Sequence, residues 1–182
     1  SETFTYDNLN RLSTNVSYEA NGNISNKVGV GTYSYSSTRP HAVSGLTNVP
    51  SSVMNDGLSV TYNSANRPLE LSLNSTHKYM LTYGENGQRV KSIYIKPGET
   101  TKTKYYVGPY EEIVRGSSIQ KNYYIYAGGE IVSVFTEGGS DLSAGLYYFH
   151  NDHLGSPWLI TDSSKVEVQR LSYDAWGRRR DP

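Results

Sequence analysis

The chain has 182 residues, with 17 basic and 17 acidic side chains, four histidines, no cysteine and a formal net charge of zero. That length suits one domain or one piece of a larger one, and folding buries about two-thirds of the extended chain's surface. Neutrality removes the long-range pull on nucleic acid or an anionic membrane, and the lack of cysteine excludes disulfides, thiolate nucleophiles and cysteine-ligated zinc. No apolar run approaches the roughly 20 residues of a membrane span, and Ser1-Glu2-Thr3-Phe4-Thr5-Tyr6 has neither the charged nor the apolar region of a secretory signal.

Tyrosine occurs 17 times and glycine 17 times, against only two methionines. With abundant Asn, Ser and Thr, this composition favours twisted strands joined by tight turns. The expected fold is all-β, a twisted antiparallel meander of hairpins.

In chain order, the first element is a phrase that recurs. Tyr6-Asp7-Asn8-Leu9-Asn10-Arg11-Leu12 is followed by Tyr18-Glu19-Ala20-Asn21-Gly22-Asn23-Ile24 in the same frame. Residues 1–40 are expected to form such hairpins. Residues 41–57, with Pro50 and small polar residues, read as an irregular crossing. Alternating strands follow at Leu58–Tyr62 and Leu69–Leu73, within a meander expected over 58–144. The frame recurs at Tyr62-Asn63-Ser64-Ala65-Asn66-Arg67-Pro68 and Tyr83-Gly84-Glu85-Asn86-Gly87-Gln88-Arg89. Pro97-Gly98, Gly128-Gly129 and Gly138-Gly139 are further turn signals. Another alternating run spans Val166–Tyr173, and the last frame is Tyr173-Asp174-Ala175-Trp176-Gly177-Arg178-Arg179.

The fourth residue after each tyrosine is Asn10, Gly22, Asn66, Gly87 or Gly177. Gly and Asn adopt positive φ most easily, so this position is expected to be the left-handed residue of a turn, with one strand ending at the tyrosine. An acceptor directly after the tyrosine, as in Asp7 or Asp174, can tie back the turn's own N–H groups. The next residue, Arg11, Asn23, Arg67, Gln88 or Arg178, can lie against the tyrosine of its frame. Recurrence at five turns is a property of scaffolding; a single active site does not require it.

These frames resemble the YD-repeat, or RHS-repeat, family of large bacterial surface and toxin proteins. Arg39-Pro40-His41-Ala42-Val43 is similar to a phrase found between repeats in that family. The stretch Tyr147–Pro157, containing Asp152-His153-Leu154-Gly155-Ser156, together with Ser172–Arg179 resembles the N-terminal part of the RHS repeat-associated core. Residues 145–182 are accordingly read as the start of that core. The resemblance implies a segment of β-shell that encapsulates or presents a C-terminal effector in a secreted or cell-surface protein. The implied partners are the remaining repeats and the effector of the same polypeptide. In the family the core continues to a self-cleaving DPxG-type region. Asp181-Pro182 lacks the following Gly and is not read as that motif, so the cleavage machinery and effector are expected to be absent from this segment.

Two other readings concern binding and catalysis. Tyr105-Tyr106, Tyr123-Tyr124 with Tyr126, and Tyr147-Tyr148-Phe149 place alternate rings on opposite sheet faces. Exposed rings suit a carbohydrate or cell-surface binding module, with a glycan as partner, and buried ones suit cross-strand packing. His150, Asp152 and His153 carry the residue types of a metal site or a general base, and converge only if the chain turns there. His41 and His77 have no visible partner in the sequence. No Ser-centred elbow, HExxH helix or phosphate loop is present. The expectation is a non-enzyme with no catalytic or metal residues, no cofactor, no nucleic acid and no membrane span, which self-associates through exposed strand edges.

Overall fold

A computed structural model describes residues 3–53, 57–73, 75–139 and 141–180. Asp181 and Pro182 lie outside the described residues. All regular elements among the described residues are strands, and no helix is long and apolar enough to cross a membrane. The chain divides into two compact units, 1–77 and 78–182.

The first unit begins with an isolated bridge between Tyr6 and Leu12. An antiparallel sheet follows in sequence order, β1 (Val16–Tyr18), β2 (Ile24–Lys27), β3 (Gly31–Tyr35) and β4 (Val43–Thr47). Strand β4 lies inside the segment expected to be irregular. It forms because Tyr33 and Leu46, and Thr32 and Thr47, stand opposite one another across the β3–β4 ladder. A hairpin of β5 (Ser59–Tyr62) and β6 (Pro68–Leu73) completes the unit. Among the described residues, Val16, Asn23, Gly31 and Ser72 are buried in this unit.

The second unit is a meander in which each strand pairs with its successor. It comprises β7 (His77–Tyr83), β8 (Arg89–Ile95), β9 (Lys102–Val107), β10 (Tyr110–Arg115), β11 (Ser118–Ala127), β12 (Glu130–Gly138), β13 (Gly145–Asn151), β14 (Pro157–Asp162) and β15 (Glu167–Arg170). A separate two-stranded ladder joins β16 (Ser172–Tyr173) to β17 (Arg179–Arg180). The run expected as one strand from Val166 to Tyr173 is therefore broken at Leu171. Its N–H bonds to the Trp158 carbonyl at 2.8 Å, so Leu171 ends the pairing with β14 while Ser172 and Tyr173 turn to a different partner.

The buried apolar residues of this unit are Ile113, Val134 and Tyr147, outnumbered by buried Ser92, Glu111, Gln120, Asn122, Ser133 and Thr136. Residues opposite one another in a ladder share a face. Register therefore sets Tyr106, Glu111, Asn122 and Thr136 in one row across β9 to β12. Val107, Tyr110, Tyr123 and Phe135, one residue along, form the matching row on the opposite face. One face is thus a hydrogen-bonded polar row and the other an aromatic row.

Candidate functional site

The recurring turn is the most repeated piece of local chemistry in the chain. In the first frame, Asn10 N–H donates to the Asp7 carbonyl and Asp7 N–H to the Arg11 carbonyl, both at 2.9 Å, while Asn10 has φ 57°. This is a tight turn followed by a left-handed residue that bulges the ladder. Asp7 Oδ1 accepts the N–H groups of Leu9 and Arg11 at 2.9 Å each. Those amides face away from the ladder, so the carboxylate satisfies donors that no strand reaches. The Arg11 N–H, countered by some desolvation and assisted by the Arg11 guanidinium and the Leu9 N–H, holds the Asp7 carboxyl below its ordinary range. Its contribution is therefore present above the ordinary carboxylate value and lost as pH falls through the lowered one.

The other frames repeat the backbone pattern with different acceptors. Asn63 Oδ1 accepts from Ala65 and Arg67, and Asp174 Oδ1 from Trp176 and Arg178. Glu19 is too long for the role, and Asn21 Oδ1 accepts from Asn23 N–H instead. Gly84 supplies backbone groups alone. Gly22, Asn66, Gly87 and Gly177 all have positive φ. Tyr18, Tyr62, Tyr83 and Tyr173 each end a strand and pair with the residue six further on. Arg11 lies over the ring of Tyr18, 4.3 Å from its centroid, and so serves the tyrosine of the following frame. Tyr6, in its own frame, is 62% exposed.

The same turn closes twice more, where no tyrosine marks it. Asp152 Oδ1 accepts from Leu154 and Ser156 at 2.9 Å, Gly155 has φ 80°, and Asn151 pairs with Pro157. Asp162 Oδ1 accepts from Ser164 and Val166 at 2.9 Å, and the left-handed position is taken by Lys165 at φ 66°. At Asp152 the available signal was the Asp followed three positions on by Gly155; at Asp162 the sequence carries only the Asp. Sequence reasoning anchored on tyrosine passes over it, because Asn151 and Thr161 stand in the tyrosine's place.

This geometry also determines what His150, Asp152 and His153 can do. His150 Nε2 is 3.0 Å from Thr161 Oγ1 across the β13–β14 ladder, and His153 is exposed within the turn. Asp152 Oδ1 is committed to two backbone amides. Among the described residues, no group of three His, Cys, Asp or Glu side chains is placed to hold a metal. Asp152→Ala leaves two N–H groups to solvent, and a stability loss of about 1 kcal/mol in urea unfolding is expected.

His41 and His77 both have partners that the sequence did not reveal. His41 Nδ1 is 2.7 Å from Asn23 Oδ1, while Asn23 Nδ2 donates to the Pro40 carbonyl at 2.7 Å. His77 Nδ1 is 3.3 Å from Thr76 Oγ1.

On the polar face, Lys104 Nζ lies 3.1 Å from both Glu111 oxygens, and Asn122 Nδ2 donates to Glu111 Oε1 at 3.2 Å. Asn122 Oδ1 in turn accepts from Gln120 Nε2 and Thr136 Oγ1. Asp141 bridges Lys102 and Arg115 at 2.8 Å each, and the Lys102 hydrogen bond holds its carboxyl below the ordinary range. Tyr106 Oη is 3.0 Å from Ser92 Oγ, and Tyr147 donates to the Ser143 carbonyl.

On the aromatic face, the Tyr110 and Tyr123 rings lie 5.2 Å apart and the Tyr123 and Phe135 rings 6.2 Å apart. Tyr105, Tyr123 and Tyr148 are exposed, while Tyr106 and Tyr124 are half-buried and Tyr147 is buried. Adjacent rings in each tyrosine cluster therefore occupy opposite faces. Tyr110 donates to Glu112 Oε2 at 2.7 Å, which pushes its phenol up to about 12, and burial pushes Tyr124 to about 12. A folded value above the unfolded one means a contribution fully present below about pH 10 and lost as pH rises through about 12. Spectrophotometric titration is expected to show these two phenols ionising late. Glu112→Gln should return Tyr110 alone toward the ordinary range, and an unchanged titration curve would refute the assignment.

These features define an antiparallel meander in which one turn recurs seven times. The sequence matches no family model and no curated protein. Solved structures do resemble it. A chain of the Photorhabdus luminescens Tc holotoxin pore aligns over 97% of this chain at TM-score 0.66 and 16% identity. A chain of the TcdB2–TccC3–Cdc42 crystal structure aligns over 97% at TM-score 0.71 and 15% identity. TcdB2–TccC3–TEV gives TM-score 0.66, 16% identity and the same coverage. The present chain spans about a tenth of those chains, 10% to 12% of their length. It shares the fold of a stretch of these Tc toxin components.

Proposed function

We propose that this chain is a segment of shell wall from an RHS/YD-repeat protein, one that encapsulates or presents a C-terminal effector in a secreted or surface context. Residues 1–40 and 58–144 supply repeat hairpins in this reading, and 145–182 open the associated core. The observation that carries it is the turn geometry recurring seven times in a meander whose fold matches Tc toxin components over 97% of the chain. Six of the seven turns use a side-chain oxygen to satisfy their own backbone amides, which suits a scaffold.

A wall segment has strand edges that further repeats cover. Strands β1 and β4 are edges of the first unit's sheet, and unpaired edges drive association. The test combines the intact mass of the native gene product with light scattering of the 182-residue chain. The expected result is a native polypeptide much longer than 20.3 kDa and a fragment that self-associates. A native product ending at Pro182 that stays monomeric would overturn the reading.

A further inference from the structure

Register aligns two rows on the aromatic face of the second unit. Tyr110, Tyr123 and Phe135 stand opposite one another across β10, β11 and β12, and two residues along so do Glu112, Lys121 and Glu137. Residues two apart in a strand share a face, so a row of rings runs beside a row of charges. The rings of Tyr110 and Tyr123 lie 5.2 Å apart and are tilted by 50°. Each phenol also reaches a carboxylate. Tyr110 Oη donates to Glu112 Oε2 at 2.7 Å, and Tyr123 Oη faces Glu137 Oε2 at 3.4 Å. Tyr123 is exposed, so a reagent in solvent reaches the pair.

Other phenols in the chain have partners of a different kind. Tyr18, Tyr35 and Tyr147 donate to backbone carbonyls, and Tyr79 accepts from Arg89. Neither a carbonyl nor a guanidinium takes up a proton near neutrality. A carboxylate does, and a phenol that gives up an electron must also give up its proton. The Glu112 bond pushes the Tyr110 phenol up to about 12. Tyr110 therefore keeps its proton at neutral pH, on the hydrogen bond along which that proton can leave.

The geometry points to Tyr110 and Tyr123 as a site of oxidative cross-linking, where a haem peroxidase with hydrogen peroxide joins the two rings into a dityrosine bridge across β10 and β11. One electron leaves each phenol, and each phenolic proton passes to its carboxylate, Glu112 or Glu137. The two tyrosyl radicals pair through the ring carbons next to the hydroxyls, forming one carbon–carbon bond. Each joined carbon then loses its hydrogen as a proton, each oxygen regains one, and both rings are phenols again. The two electrons and two protons given up reduce one peroxide to two waters. A biaryl bond holds its rings twisted, and the existing tilt of 50° is close to that end state. The bridge closes the β10–β11 hairpin covalently in a chain that has no cysteine for a disulfide. The site stands apart from the shell reading, since it needs only the second unit.

The test treats the 182-residue chain, at high dilution, with a haem peroxidase and one equivalent of hydrogen peroxide. The expected product is a single chain lighter by two hydrogens, with dityrosine fluorescence. Its tryptic peptides 105–115 and 122–165 should be joined, and fragmentation should place the bond at Tyr110 and Tyr123. Tyr123→Phe should abolish the bridge. Glu112→Gln keeps the shape of the side chain but takes no proton, so bridging should slow about tenfold or more. Deuterium oxide should slow the parent chain more than this variant, an effect that a merely structural role for Glu112 would not produce. Far-UV circular dichroism shows whether the variants fold, and the position of the bond in the parent chain tests the site without any substitution. The bridged chain should also unfold at a higher urea concentration than the untreated one. A first bridge at other tyrosines, products that are only dimers, or a Glu112→Gln variant that reacts as fast as the parent would overturn the proposal. An unchanged urea midpoint would overturn the bridge as a staple.

Discussion

Replacing Glu111 with alanine is expected to destabilise the second unit by about 1–3 kcal/mol, because a buried carboxylate that takes a half-buried ammonium and a buried amide is lost. Glu111 is 7% exposed, and its carboxylate receives Lys104 and Asn122 together. Removing it leaves the buried Asn122 amide without its acceptor and the half-buried Lys104 ammonium to water, and Asn122 then loses the contact that orients it toward Gln120 and Thr136. The cost therefore comes mainly from donors left unpaired, which separates it from a simple cavity. The double variant Lys104→Met with Glu111→Leu removes both charges at similar volume and should lose less than the single variant. Urea unfolding of the two variants beside the parent chain makes the comparison. A loss below about 1 kcal/mol for Glu111→Ala would mean that water replaces the carboxylate and that the row is not closed to solvent.

Gly31→Ala should have a comparable effect in the first unit, about 2–4 kcal/mol, for a different reason. Gly31 begins β3 with φ 132° and is buried, and a Cβ there would sit 2.5 Å from the Thr47 carbonyl oxygen. That oxygen belongs to β4 and cannot swing aside without breaking the β3–β4 ladder. Gly22 provides the control, since it has φ 91° and nothing lies within 4 Å of the point a methyl group would occupy. Gly22→Ala carries backbone strain alone, at about 1 kcal/mol. Equal losses at the two sites, measured by thermal unfolding with separate probes for each unit, would show that β4 relaxes away and that the close approach contributes little.

Much of this molecule was legible in its sequence because the repeating turn is local. Asp7, Asn63 and Asp174 reach amides two and four residues away, and a left-handed residue follows at a constant offset. Such contacts survive any rearrangement of the rest of the chain, so composition and spacing suffice to place them. The frames at Asp152 and Asp162 were harder to see because the tyrosine is absent from both, and at Asp162 a lysine, Lys165, also takes the left-handed position where the other frames have Gly or Asn.

The polar row and the contacts of Arg39 and His41 arise from packing between distant segments. Lys104 and Glu111 meet because β9 and β10 take one register, and a slip of one residue would send Glu111 to the aromatic face and Tyr110 to the polar one. Arg39 finds Asn66, 27 residues on, and His41 finds Asn23, 18 residues back. Residue order alone was enough to specify an all-β chain with a hairpin turn at each frame. Which polar groups are buried together followed only from the register of the ladders, because a period of two fixes faces within a strand but leaves their alignment between strands to packing.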